Sequence, residues 1–448
     1  MTRRSNTRAA PELLELTIDS LSHEGRGIAR HHGKLLFVDN GLPGERVRAR
    51  ILARHARYDE AVAEAIVEAA AQRREPPCPH TLRCGGCSLQ HVDPAAQISW
   101  KQQVLAEQLH HFGGLAPQQW LPPLSGPTLG YRRRARLSAR FVHKRGTLML
   151  GFRERNSHFV TEIEHCQVLD PRIDRQLPAL TMLLGQLEAR TIIPQVEVSC
   201  GDDRVALVLR HLQPLGAADL EALTHHAREQ EIDLYLQPGG VEQLIKLWPQ
   251  DGAPWLEYAL PDFALTLRFH PLDFIQVNPT INRAMVDQAL ALLQPTRDDR
   301  LLDLFCGLGN FTLPLARRAG SVVGVEGSAT LVERGEQNAR LNGLDNVQFH
   351  AANLDDPAWT QAPWARQTFT QALLDPPRSG AEAVVSQIGR LRVERLLYVS
   401  CNPATLARDA GVLVHQAGYR CVAAGVVNMF AHTAHVESMA VFELSDGQ

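Results

Sequence analysis

Leu301-Leu302-Asp303-Leu304-Phe305-Cys306-Gly307-Leu308-Gly309-Asn310-Phe311-Thr312 decides the fold of the C-terminal half. A short apolar run ends in a glycine turn, and a helix starts directly after it. The two glycines let the backbone come close to a ligand. Thr312 stands where a dinucleotide fingerprint has its third glycine, so the pyrophosphate motif is incomplete. Working outward, strand-like runs at 301–305, 322–326, 347–350, 372–375 and 396–400 alternate with helix-like stretches. That rhythm predicts a doubly wound α/β domain with a parallel sheet. Two further strands are expected at 420–427 and 435–444.

In such a sheet, ligands bind beyond the carboxyl ends of the strands. Glu326 ends the second strand, where a carboxylate can accept both hydroxyls of a ribose. Asn353 follows the third strand, at the place of an adenine edge, and Asp375-Pro376-Pro377-Arg378 follows the fourth. Each has a plainer use: a tight turn for the glycines, a helix cap for Glu326, a solvated turn for Asp375. Together, at successive strand ends, they point to an S-adenosylmethionine site rather than a nicotinamide site. The fifth strand delivers Cys401, in Leu396-Leu397-Tyr398-Val399-Ser400-Cys401-Asn402-Pro403, to the same edge. A thiol there is a candidate nucleophile, although most such cysteines are small core residues.

The remaining sequence bounds the partners. At 448 residues the chain predicts two or three domains. With 44% hydrophobic and 21% charged residues, no spanning apolar stretch and no signal-peptide core at Met1-Thr2-Arg3-Arg4-Ser5, a cytoplasmic globular protein is expected. Residues 1–10 read as a basic arm. Residues 12–68 hold about five short strands with glycine turns, which suits an OB-like β-barrel. Arg73-Arg74-Glu75-Pro76-Pro77 reads as a linker. Then comes Cys78-(x5)-Cys84-Gly85-Gly86-Cys87, with Cys166 far downstream. In a cytosolic chain such cysteines suggest a metal site, and Cys-x2-Cys serves zinc and iron–sulfur centres alike. Residues 95–112 read as an amphipathic helix, and 128–270 show β-type alternation with one helical insert near 173–189. From Tyr131 to Arg155 there are nine Lys or Arg residues and a single acid, despite a net charge of −3 overall. Arg132, Arg134, Arg136 and Arg140 alternate with apolar residues, which puts four arginines on one strand face. Arg46, Arg48 and Arg50 alternate likewise in the barrel, so an RNA-binding surface is expected.

The motifs also resemble a known family, the RNA 5-methyluridine methyltransferases. Phe274-Ile275-Gln276-Val277-Asn278, Asp303 to Phe311, Leu374-Asp375-Pro376-Pro377-Arg378, Val399-Ser400-Cys401-Asn402-Pro403 and His435-Val436-Glu437 match in the family's order. A TRAM-like barrel and the four cysteines narrow the resemblance to the iron–sulfur type that acts on large-subunit (23S) ribosomal RNA. The resemblance implies that Gln276, Phe305, Asn310, Glu326, Asn353 and Asp375 contact S-adenosylmethionine. It implies Cys401 as nucleophile, Glu437 as general base, and a [4Fe–4S] cluster rather than zinc on Cys78, Cys84, Cys87 and Cys166. It also implies three domains: a TRAM barrel (10–70), a β-rich central domain (75–95 with 128–270), and a class I, Rossmann-like methyltransferase domain (96–127 with 271–448).

The chemistry explains these residue types. Carbon 5 of uracil is a poor nucleophile toward a sulfonium methyl. A thiolate adding to carbon 6 moves electron density to carbon 5, and a base must then remove the carbon 5 proton so that the cysteine can leave. His432 and His435 are rival bases, since both titrate near neutrality. The target base must be extruded from folded RNA, and Phe274 is a candidate to stack in its place, or a core residue. Other functions compete: a transfer-RNA uridine methyltransferase, an N-methyltransferase using Asp375-Pro376-Pro377, or a non-catalytic ribosome-assembly factor. The N-methyl reading expects an aromatic at Arg378 and leaves Cys401 without a task.

Overall fold

The structure is a computed structural model and describes residues 13–155, 157–240 and 243–445. The arm expected over residues 1–10 lies outside the described residues. Two compact units emerge, residues 1–97 with 432–434, and residues 98–431 with 435–448.

The first unit is built on β1 (Leu13–Thr17), β2 (Ser20–Leu21), β3 (Gly27–His31), β4 (Lys34–Asp39), β5 (Arg46–Arg54) and β6 (Tyr58–Glu68). Their hydrogen-bonded order is β1-β5-β6-β4-β3-β2, six strands where the sequence reading has about five. Period-two alternation buries Val47 and Ala49 against Leu16, Leu36 and Val38. Arg46 and Arg48 face outward. Arg46 is paired with Glu15 and Glu68, and Arg50 with Glu64. Part of the expected basic row is therefore neutralised by acids of the same sheet.

Helix α1 (Pro94–His111) leads into the second unit. There β7 (Gln119–Trp120) is followed by β8 (Arg134–Val142), β9 (Thr147–Gly151), α2 (Pro171–Asp174), α3 (Leu177–Gln186), β10 (Gln195–Cys200), β11 (Val205–Arg210), α4 (Ala217–Glu229), β12 (Asp233–Gln237) and β13 (Ile245–Trp248). Strands β8 to β13 form a mixed sheet of order β13-β12-β11-β10-β8-β9 with its own apolar core. The single helical insert expected near 173–189 is α2, α3 and a 3-10 turn at Glu188–Thr191. Helix α4 is a second one, which the sequence reading lacks. It is required because β11 and β12 run parallel, and parallel neighbours need a crossover.

After a hairpin, β14 (Leu256–Leu260) and β15 (Leu265–Phe269), the alternating pattern begins. It comprises α5 (Pro279–Leu293), β16 (Arg300–Leu304), α6 (Thr312–Arg318), β17 (Ser321–Glu326), α7 (Ala329–Leu341), β18 (Val347–Ala351), β19 (Gln371–Leu374), α8 (Glu382–Ile388), β20 (Arg395–Ser400), α9 (Pro403–His415), β21 (Tyr419–Val427) and β22 (Glu437–Leu444). The sheet order is β18-β17-β16-β19-β20-β22-β21-β7, and the first five strands are parallel. Asn278 and Asn402 cap α5 and α9 with their side chains, and Pro279 and Pro403 occupy the first helical positions. Val104, Leu105 and Leu109 of α1 share the core of this sheet, and β7 extends it beside β21. The strand order turns outward on both sides of β16, and that switch opens a ligand crevice at the carboxyl ends. Among the described residues, no helix is long and apolar enough to cross a membrane.

Candidate active site

The turn after β16 is built from left-handed backbone. Phe305, Gly307 and Gly309 have φ of 64°, 55° and 100°. A β-carbon on Gly309 would come within 3.0 Å of the Leu313 side chain, so glycine is needed there for space as well as for φ. The Gly307 N–H donates to Glu326 Oε2 at 3.1 Å, and the Ser328 N–H donates to Glu326 Oε1 at 3.0 Å. Ser328, rather than Glu326, caps α7. Glu326 thus ties the glycine turn to the end of the next strand.

Asn310 is fixed from the far side. Its amide exchanges two hydrogen bonds of 2.9 Å with the amide of Asn282, and the Tyr258 hydroxyl donates to Asn310 Oδ1 at 2.9 Å. Gln276 lines a small cavity together with Arg133, Tyr258 and Asn282. Asn353 Oδ1 accepts the Asp355 N–H at 3.1 Å, holding the turn after β18. Thr312, the residue in place of the third glycine, donates to buried Asp303 at 2.6 Å. Burial pushes the Asp303 carboxyl up to about 8, with Asp375 and Glu326 adding to it and Thr312 opposing.

The second cluster is set by register. In β19 and β20, Leu374 lies beside Tyr398, and Asp375 follows. In β20 and β22, Ser400 lies opposite Ser438. Continued by one residue, that antiparallel register sets Cys401 opposite Glu437. Glu437 is buried, and its Oε2 has no hydrogen-bond partner. Burial and the nearby Asp375 raise the Glu437 carboxyl to about 8, while Lys101 pulls it down. Burial alone lifts Asp375 to about 7. Cys401 is raised to about 11 by burial, then by Glu437 and Asp375, with Arg378 opposing. Two carboxylates and a dry environment both disfavour a thiolate.

The rival bases separate. His435 Nδ1 lies 2.9 Å from Arg378 Nη2, and burial with Arg378, Lys101 and Arg132 pushes the imidazole down to about 4. It is neutral near pH 7 and orients Arg378. His432 groups with the first unit, where Gln97 Nε2 lies 3.1 Å from its Nδ1 and Gln97 Oε1 accepts its backbone N–H.

The loop after Asp375 is tied down along its length. Asn402 Nδ2 and Thr405 Oγ1 donate to the Arg378 carbonyl at 3.0 and 3.3 Å. Arg408 Nη2 donates to the Ser379 carbonyl at 2.9 Å. The Ala381 N–H and the Tyr398 hydroxyl both donate to Asp409 Oδ2, at 2.7 and 2.6 Å. Phe274 is 64% exposed, which removes the core alternative for it.

The arginine row on β8 is partly engaged within the protein. Ala135, Leu137 and Ala139 point inward as expected. Arg134, however, donates to the carbonyls of Asp273 and Leu272 at 2.7 and 2.8 Å, and it shares Glu197 with Arg136. It braces the loop that carries Phe274 and Gln276. Arg132 lies over the Phe430 ring and Arg140 over Phe159.

Cys78, Cys84 and Cys87 lie in the first unit and Cys166 in the second. The Gly86 N–H donates to Cys84 Sγ at 3.4 Å, and the Cys84 N–H to the His80 carbonyl at 2.8 Å. Among the described residues, no three His, Cys, Asp or Glu side chains gather as a metal site. Cys200, Cys306 and Cys421 are buried core thiols, all raised by burial.

Tyr258, Asn282, Asp409 and Lys101 are site residues that the sequence reading lacks. Asn282 had a usable signal, because it sits one helical turn beyond the Asn278 cap.

Comparison with known proteins bears directly on this geometry. A family model described as tRNA (Uracil-5-)-methyltransferase matches residues 93–444, and a TRAM domain model matches residues 12–63. The chain belongs to the uracil-C5 methyltransferase family. A relative from Alcanivorax borkumensis, named 23S rRNA (uracil(1939)-C(5))-methyltransferase RlmD, is 51% identical over 98% of both chains. Another of the same name, from Alkalilimnicola ehrlichii, is 53% identical over 98% of both chains. A solved structure of Pyrococcus abyssi tRNA (uracil-54, C5)-methyltransferase, in complex with S-adenosyl-L-homocysteine, superposes with a TM-score of 0.74. It covers 96% of this chain and 99% of its own at 22% identity, which establishes the shared fold. This family member thus combines an N-terminal TRAM domain with a methyltransferase-fold domain.

Proposed function

We propose that this chain methylates carbon 5 of the uridine at position 1939 of 23S ribosomal RNA, as the names of its half-identical relatives describe for them. The observation that carries the chemistry is the register that faces Cys401 with Glu437, one strand from Asp375. S-adenosylmethionine, when bound, supplies an electrophilic methyl group and a positive charge. Gln276, Phe305, Asn310, Glu326, Asn353 and Asp375 would hold it. The fit is supported by the left-handed turn at 305–309, the carboxylate of Glu326 at the strand end and the rigidly held Asn310.

Cys401 adds through its sulfur to carbon 6 and gives up its proton. Asp375, lifted to about 7, is a proton acceptor matched to neutral pH. Once carbon 5 bears the methyl group, Glu437 takes the proton from that carbon on Oε2, the double bond re-forms and the carbon–sulfur bond breaks. Exposed Phe274 fills the gap left by the extruded base. The deciding experiment is mass mapping of 5-methyluridine in RNA from cells lacking this chain. Loss at position 1939 alone, restored by the wild-type chain, is the expected result. Loss from transfer RNA would overturn the substrate.

We further propose that Cys78, Cys84, Cys87 and Cys166 hold a [4Fe–4S] cluster, and that residues 75–95 and 128–270 act with it as an RNA-binding body. Four thiolates are soft donors suited to iron–sulfur ligation, and the Gly86 N–H to Cys84 Sγ bond is of the kind that stabilises a ligating sulfur. Protein prepared without oxygen should carry about four irons and four sulfides per chain. Stoichiometric zinc instead would reject the cluster.

A further inference from the structure

Helix α1 carries Lys101 into the interior, where its side chain is 0% exposed. A buried ammonium loses its hydration, so lysine seldom sits there without a partner. Nζ donates to Asn428 Oδ1 at 2.9 Å and to the Phe430 carbonyl at 2.8 Å. Asn428 directly follows Val427, and Val427 is the register partner of Glu437. The ammonium is thus clamped beside the end of the strand pair that presents Glu437. Both partners are neutral, so burial lowers the ammonium to about 7, with Glu437 opposing, and the charge is present at neutral pH and below. Nζ gives its hydrogen bonds to these two neutral oxygens, and Glu437 Oε2 accepts no hydrogen bond. The positive charge acts on Glu437 through space while leaving that oxygen unoccupied.

We infer that Lys101 is a positioning residue for the general base, an ammonium fixed by Asn428 and Phe430 that favours the carboxylate form of Glu437 and leaves Oε2 open for the carbon 5 proton. The inference rests on Glu437 being the base. The other groups facing this pair do not supply the same effect. Asp375 raises Glu437, and the Cys401 thiol is neutral. His435 is neutral as well, held down by burial, Arg378, Lys101 and Arg132. Lys101 is the cation that draws Glu437 toward its charged form, while Glu437 in turn opposes the lowering of Lys101 by burial.

Without the ammonium, the Glu437 carboxyl rises further, and less of it is available as base at neutral pH. Lys101→Met should move the rising limb of single-turnover methylation against pH upward by about one unit. That is about a tenfold loss at neutral pH, half recovered at about pH 9, with the covalent RNA adduct persisting at neutral pH. Thermal melting and S-adenosylhomocysteine binding verify that the variant is folded. Asn428→Leu, which keeps the lysine but removes one clamp, should shift the limb in the same direction by less. A Lys101→Met profile that is lowered equally at all pH values, or not shifted, overturns the inference. If that variant fails to fold, a wild-type profile for Asn428→Leu overturns it. Rapid turnover by Glu437→Gln would instead reject Glu437 as the base, and so separates the two failures.

Discussion

Cys401→Ala is expected to bring methyl transfer down to background, with no covalent RNA–protein species at any pH. The loss should reach about 10⁴-fold or more, equivalent to about 5 kcal/mol of barrier. The reason is electronic rather than steric. Without a bond at carbon 6, carbon 5 has no electron pair to offer, and neither positioning nor electrostatics can replace it. Binding of S-adenosylhomocysteine should be unchanged, because the turn at Gly307–Asn310 lies on other strands. Single-turnover assay with denaturing gels checks both points. A Cys401→Ala protein that still yields 5-methyluridine would remove the nucleophile from the mechanism.

Glu437→Gln should behave in the opposite way. Addition and methyl transfer proceed, elimination stalls, and an adduct of chain and RNA accumulates. Turnover should fall about 10²- to 10⁴-fold, the usual worth of a general base. The adduct should carry the transferred methyl group, readable by mass spectrometry after nuclease digestion. The same substitution has a consequence for stability. The folded-state carboxyl of Glu437 is raised to about 8, well above its ordinary value of 4.5. The folded protein therefore holds an extra proton between those values, and its stability declines as pH rises through that window. Glutamine removes the titration, so the variant should lose less stability between neutral and mildly alkaline pH than the wild type.

Much of this site was legible because its signals are local. A glycine turn after an apolar run, and polar residues at successive strand ends, need only a few neighbouring residues to be recognised. What was not legible is set by distant contacts. Lys101 looks like an ordinary solvated charge on an amphipathic helix, and only its bond to Asn428, 327 residues away, shows otherwise. Arg134 fits an outward basic row by alternation, yet the carbonyls of Leu272 and Asp273 claim it. Helix α4 was hidden because its buried positions are Asp219, Leu223 and Ala227, of which only Leu223 and Ala227 are apolar. The raised thiol of Cys401 was missed for a related reason: chemistry specifies what a nucleophile must become, whereas burial sets what it is before substrate arrives.

The cross-ties from Asn402, Thr405, Arg408 and Asp409 to the loop at 378–381 have a consequence for recognition. They join the strand end bearing Asp375 to the one bearing Cys401, so the distance between proton acceptor and sulfur has little freedom to vary. An anvil of this kind cannot mould itself to an RNA. The distortion falls on the nucleic acid, and a uridine whose local stacking is already weak is the one most readily drawn onto it.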